Sequence, residues 1–316
     1  MFVALSVVSS LATPVFSEPL KIVVGFPAGS GIDVLTRLVG EHIQAATNTP
    51  VVVDNRPGAG GRIAAEVVAR AEPDGNTILS APIVTTAFTP FLYKNLSFDP
   101  LKDLAPITRL GNFQFALALN KDVPVSDAKG FVQWVKNNPG KVNYGSLSAG
   151  TPSHFLGAMF NRATGIDMQH IPYKGSGPVN IDLQSGQIQA TFNTTVATMQ
   201  LYKSSKIKIL AVTGLERSPS LPDVPTFKEL KMNLGPMEDA ELWYGFLAPG
   251  KTPTPAIMEL NVRIVAALND PEIRRKITNL DIQIATDTPD EFARIIAADY
   301  KRWGDVIKST GFTLNE

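Results

Sequence analysis

Three stretches of small residues, each set between an apolar run and a helical period, are the parts of this chain best suited to chemistry. The first, Phe26-Pro27-Ala28-Gly29-Ser30-Gly31-Ile32-Asp33, follows the run Lys21-Ile22-Val23-Val24-Gly25 and opens an amphipathic helix expected from Asp33 to about Thr47. A strand that breaks into small residues at a helix start leaves backbone N–H groups without partners, and the positive end of the helix dipole makes them an anion site. Tyr144-Gly145-Ser146-Leu147-Ser148-Ala149-Gly150 and Tyr173-Lys174-Gly175-Ser176-Gly177-Pro178 repeat the pattern, with hydroxyl donors at Ser146, Ser148, Thr151 and Ser153. His154 reads either as a ligand group or as a first-turn residue bonded to backbone. Lys174, the one cation in these loops, reads as solvated. The C-terminal ends of parallel strands lie along one sheet edge, so such loops converge on one cleft. They bring many donors and few groups able to move a proton, which is the chemistry of binding rather than of catalysis.

The enzyme readings lack parts. Gly29-Ser30-Gly31 after a strand, with Asp54 closing the second strand, resembles a dinucleotide fingerprint, but Val34 stands where the third glycine belongs and Pro27-Ala28 lengthen the turn. Arg56-Pro57-Gly58-Ala59-Gly60-Gly61 is not closed by the Lys-Ser/Thr of a phosphate loop and reads as a tight turn needing positive φ. The Ser146 loop is not Gly-x-Ser-x-Gly, and His154 has no evident carboxylate partner. The three histidines show no ligand spacing and there is no cysteine, so neither a metal nor another cofactor is expected. With 29 basic and 29 acidic residues and no basic patch, nucleic acid is not an expected partner.

Strand and helix signals alternate along the 316 residues, which predicts an α/β protein with largely parallel sheets in two domains. Strands are expected at Ile22–Phe26, Val51–Asp54, Thr77–Ala81, Phe115–Leu119, Val142–Ser146, Met168–Pro172, Ile188–Asn193, Ile207–Thr213, Leu242–Ala248 and Ile282–Ala285, and a late helix from Pro289 to about Lys308. Composition breaks near Gly111–Asn120 and Met237–Ala248 suggest two crossings. A first lobe would then comprise residues 18–118 and 242–316, and a second lobe residues 119–241. Residues 1–17 read as a secretory signal peptide, an apolar run ending in small residues before Glu18. No Lys or Arg precedes that run, so whether Met1 is the true start stays open.

The motifs together resemble one family. Phe26–Asp33, Val53-Asp54-Asn55-Arg56-Pro57-Gly58-Ala59-Gly60-Gly61, Pro73-Asp74-Gly75, Val142–Ser146, Ile171–Ser176, Ala211–Gly214 and Arg217–Thr226 are similar, in order, to motifs of the extracytoplasmic solute receptors of tripartite tricarboxylate transporters, the Bug-type receptors. The resemblance implies a type II periplasmic binding protein, two lobes closing on a small carboxylate held by backbone amides, hydroxyls and water. It implies a monomer in the periplasm, with the permease subunits of the transporter as membrane partners. Carried onto this chain, it places ligand contacts at Ala28, Gly29, Ser30 and Gly31, at Pro82, Thr85 and Thr86, and at Ser146, Ser148, Thr151, His154, Tyr173, Gly175 and Asn193. Ile32, Pro82 and Asn193 depart from the family's usual residues and make the pocket less polar, favouring a mono- or dicarboxylate with an apolar or aromatic body over citrate. Asp33 is expected to cap its own helix. Alternatives are a carboxylate co-receptor for a sensor kinase and an NAD-dependent enzyme.

Overall fold

The computed structural model describes residues 18–238 and 240–314, so the segment read as a signal peptide lies outside it. The first lobe begins β1 (Leu20–Val24), α1 (Gly31–Thr47), β2 (Val51–Asn55), α2 (Arg62–Ala69), β3 (Thr77–Pro82), α3 (Val84–Ala87), α4 (Thr89–Leu92) and β4 (Leu104–Phe113). The second contains β5 (Phe115–Asn120), α5 (Ala128–Lys136), β6 (Asn143–Ser146), α6 (Pro152–Thr164), β7 (Gln169–Pro172), α7 (Ser176–Ser185), β8 (Ala190–Thr194), α8 (Thr195–Lys203), β9 (Ile207–Val212) and α9 (Phe227–Leu230). The chain then returns through β10 (Leu242–Pro249), α10 (Thr254–Asn269), α11 (Pro271–Thr278) and α12 (Pro289–Thr310).

The two five-stranded sheets have the same plan, β2-β1-β3-β10-β4 and β7-β6-β8-β5-β9. In each, one strand runs against the other four, and it is the strand that follows a crossing: β10 lies antiparallel between β3 and β4, and β5 between β8 and β9. The α/β, mostly parallel reading therefore holds. The expected boundary at residue 118 falls inside β5. The chain leaves the first sheet at Phe113 and enters the second at Phe115, so the division lies at Gln114.

β4 is a strand the sequence reading passed over. Pro106 lies within it, and β4 is an edge strand, the position where a sheet tolerates a residue without an N–H. Conversely, Ile282–Ala285 forms only a single bridge, Gln283 to Asn112.

Helix α1 buries Leu35, Val39 and Ile43 against the first sheet, as their spacing requires. Another apolar cluster is continuous across both lobes. Phe88 of the first lobe packs on Trp303 of α12, at 4.6 Å between ring centroids, and on Phe155 of α6, at 6.0 Å. Phe312, just past α12, adds its edge to His154 and Phe155. The lobes are thus joined by packing as well as by the two crossings.

Two glycine loops of the first lobe meet closely. A Cβ on Gly25 would stand 2.6 Å from the Gly61 Cα, and Gly58, Gly60 and Gly61 all have positive φ. The loop Gly58–Gly61 is a tight turn, as expected, and it also reaches the cleft through Ala59 and Gly60. Gly25→Ala is expected to push the two loops apart and lower the melting temperature, as differential scanning fluorimetry would read.

Candidate ligand-binding cleft

A cavity of about 730 Å³ lies between the sheets, at the C-terminal edges of the parallel strands, a size suited to a small ligand. Four helices start at its wall. Their N-cap residues, Ser30 of α1, Thr151 of α6, Gly175 of α7 and Thr194 of α8, all line the cavity. None of the four caps its helix through a side chain. Asp127, Thr226, Asp270 and Thr288 at other helix starts do accept from their own first-turn amides, whereas α2 and α10 also lack a side-chain cap. At α8 the first amide goes to the Gln114 carbonyl, and α6 begins with Pro152, which has no N–H. The starts of α1 and α7, at Gly31 and Ser176, turn their dipole charge and first-turn N–H groups to the cavity. The Ser30 Oγ is buried with no partner in the protein, a donor also left over.

The remaining wall is largely apolar. Phe113 and Tyr244 stack at 4.3 Å with 15° between their planes, and Phe26, Phe115, Tyr93, Ile32 and Leu147 complete an apolar lining. Among the described residues no Lys, Arg or His lines the cavity, and Asp281 is the one carboxylate that does.

Of the residues expected to touch the ligand, Ser30, Gly31, Pro82, Ser148, Thr151 and Gly175 line the cavity. The others stand apart from it. Ala28 and Gly29 are exposed on the approach to α1, and the Gly29 amide is taken by the Asp33 carboxylate at 2.8 Å. Thr85 and Thr86 are buried, with Thr86 bonded back to the Ile83 carbonyl; Val84 and Thr89 face the cavity instead. Tyr173 turns away and donates to Asp182 at 2.7 Å. Asn193 is fully buried and accepts from the Ser176 hydroxyl and the Thr194 amide, so it positions two lining residues from behind.

Ser146 and His154 are likewise supports. The Ser146 hydroxyl donates to the Ser148 carbonyl, so the His170 Nε2, 2.6 Å away, donates to Ser146. His154 stacks on His170 at 4.0 Å, and its Nδ1 accepts from the Gly150 amide. Burial lowers both imidazoles, His170 to about 4 with a further push from His154. Both folded values lie below the ordinary one near 6.5, so the unfolded chain takes up protons first as the pH falls. Stability should be intact above pH 6.5, decline as the pH falls towards 4, and fall no further through His170 below that. The expected loss is about 1–2 kcal/mol, since part of the His170 ring reaches solvent. Urea titrations across this range would check it, with His154→Gln/His170→Gln flattening the profile.

Asp33 is not the cap it was expected to be. Ser30 holds that position, α1 begins at Gly31, two residues before the expected start, and Asp33 lies in the first turn. Burial alone would raise its carboxyl, but hydrogen bonds from Arg37, Asn55 and the Gly29 amide hold it below its ordinary value. Its charge thus braces the loop and is spent on protein partners rather than shown to the cavity. Asp54, the acidic residue of the would-be dinucleotide motif, is similarly engaged by Lys21 and Arg56, each at 2.9 Å.

The aromatic wall was missed because Phe113, Phe115 and Tyr244 carry no motif. Their convergence depends on β10 pairing with β4 some 130 residues earlier, Tyr244 opposite Gly111.

Comparison with known proteins gives this arrangement a family. The profile described as Tripartite tricarboxylate transporter family receptor matches residues 35–312. Protein BugT of Bordetella pertussis is 31% identical over 315 residues, spanning 97% of this chain and 95% of BugT. Among solved structures, the periplasmic binding protein BugD superposes with a TM-score of 0.80 at 31% identity, over 94% of this chain and 98% of BugD. R. palustris Rpa4515 with adipate gives 0.83 at 28%, over 94% and 98%, and MatC from Rhodopseudomonas palustris with bound malate gives 0.78 at 28%, over 93% and 100%. No described helix is long and apolar enough to cross a membrane. The chain belongs to the tripartite tricarboxylate transporter receptor family, as a Bug-type periplasmic solute-binding protein and not an enzyme.

Proposed function

We propose that this receptor captures a small mono- or dicarboxylate with an apolar or aromatic body and delivers it, as a monomer, to the permease of a tripartite tricarboxylate-type transporter. The observation that carries this reading is the set of four helix starts whose N-cap residues line one cavity, none of them capping its helix through a side chain. A carboxylate suits such donors: it accepts several hydrogen bonds, gains from the dipoles, and needs no cation. The Phe113–Tyr244 stack and the apolar residues beside it suit the ligand's body. The carboxylates bound by Rpa4515 and MatC support the same ligand class. In the proposed cycle the ligand's carboxylate meets Ser30 and Gly31, the lobes close about Gln114 and the return crossing, and Ser148, Thr151, Gly175 and water complete the shell.

Thermal unfolding against a panel of carboxylates tests the reading. A ligand at a hundred times its Kd should add about 2.7 kcal/mol, and its methyl ester should add little. Equal shifts with acid and ester would refute carboxylate recognition, and a response confined to citrate would refute the apolar body.

A further inference from the structure

The one carboxylate among the described residues of the cleft wall has one of its two oxygens without a partner. Asp281 follows α11 and is 7% exposed. Its Oδ1 accepts from the Ser218 hydroxyl at 2.7 Å, a contact from the loop after β9. Its Oδ2 is buried and has no partner in the protein. A buried carboxylate oxygen without a donor is costly and calls for an explanation. Asp281 has a φ of +55°, a left-handed conformation that glycine adopts most easily and that Asp and Asn also visit.

Resting on the carboxylate-receptor reading above, we propose that Asp281 is a specificity residue that selects carboxylates bearing a second, hydrogen-bond-donating group, an ammonium above all. The Asp281 oxygen accepts from that group, while the ligand's own carboxylate goes to the uncapped helix starts. The argument is one of sign. Among the described residues no Lys, Arg or His lines the cavity to offset Asp281, so a second carboxylate beside it would place like charges together in a desolvated site. An ammonium there neutralises Asp281 and fills the empty acceptor. The charge that the neighbours' dicarboxylates carry at both ends is therefore disfavoured at one end of this cleft.

Matched pairs test this by isothermal titration calorimetry. In 6-aminohexanoate against adipate, and in 4-(aminomethyl)benzoate against terephthalate, an aminomethyl group replaces one carboxylate; further pairs vary the length. The unmodified chain should bind the amino acid of a responding pair at least tenfold tighter than the diacid. Asp281→Asn should erase or reverse that ratio. Asparagine tolerates the left-handed backbone and its side-chain oxygen still accepts from Ser218, so the fold should survive. A preference for the diacid in the unmodified chain overturns the inference without any variant, and so does a ratio that Asp281→Asn leaves unchanged. Both results would leave the receptor reading standing. Failure of every carboxylate to bind would overturn that reading and this inference with it.

Discussion

Replacing Gly31 with proline is expected to weaken carboxylate binding by 10- to 100-fold while leaving the melting temperature unchanged or slightly raised. Gly31 is the first residue of α1, the position at which proline is best tolerated because that N–H has no partner within the helix. Ser30 before it already has φ −67° and ψ 157°, the extended conformation that a following proline demands. A Cβ on Gly31 would meet nothing within 4 Å. The substitution therefore removes one amide hydrogen from the cleft and sets the proline Cδ in its place, with no clash from the Cβ. A hydrogen bond to a charged group contributes about 1.5–3 kcal/mol, which sets the expected loss in affinity, whereas replacing glycine by proline where the backbone permits stabilises by up to about 1 kcal/mol. Opposite movement of affinity and stability is what a purely structural role for Gly31 would not produce. Gly31→Ala, which keeps the N–H, should bind normally. If proline and alanine weaken binding equally, the amide is not a ligand contact.

The same residues show how far the sequence could be read. The loop after β1 was legible because strand, small residues and amphipathic helix are local signals. The start of α1 was misplaced because Asp33 was given the capping role, although Ser30, three residues earlier, is itself a favoured N-cap residue. Choosing between them needs Asn55 and Arg37, which reach Asp33 from β2 and from the next turn of the helix. Ser146, His154 and Asn193, expected as ligand contacts, lie in β6, α6 and β8 behind the cavity wall, where each is held by partners that no local signal reveals: His170 for the first two, Asn180 and Ser176 for the third. Asp281 follows a helix in a turn with no motif, and only burial reveals its unpaired oxygen. Local periodicity thus supplied the elements and the polar half of the cleft. The aromatic half came from strand order, which no short window encodes.

Trp303→Ala is expected to lower stability by about 3–5 kcal/mol, the range for truncating a large buried aromatic. Trp303 is fully buried on α12, a first-lobe helix that also packs on α6 of the second lobe. Its ring lies against Phe88, which in turn meets Phe155, so the cavity left by truncation would open where the lobes share a core. A single cooperative transition in urea should become broad or biphasic as the lobes uncouple. Trp303→Phe separates packing from polarity. The indole Nε1 is buried with no hydrogen-bond partner, and losing such a donor returns part of its desolvation cost. Phenylalanine keeps one ring against Phe88, so its expected cost is below about 1.5 kcal/mol despite the lost volume. A cost for Trp303→Phe equal to that of alanine would mean that the indole's full shape, or an unseen partner for its N–H, holds the lobes together. A small cost would assign the contribution to ring packing, with Trp303 holding Phe88 in the place where Phe88 meets Phe155 of the second lobe.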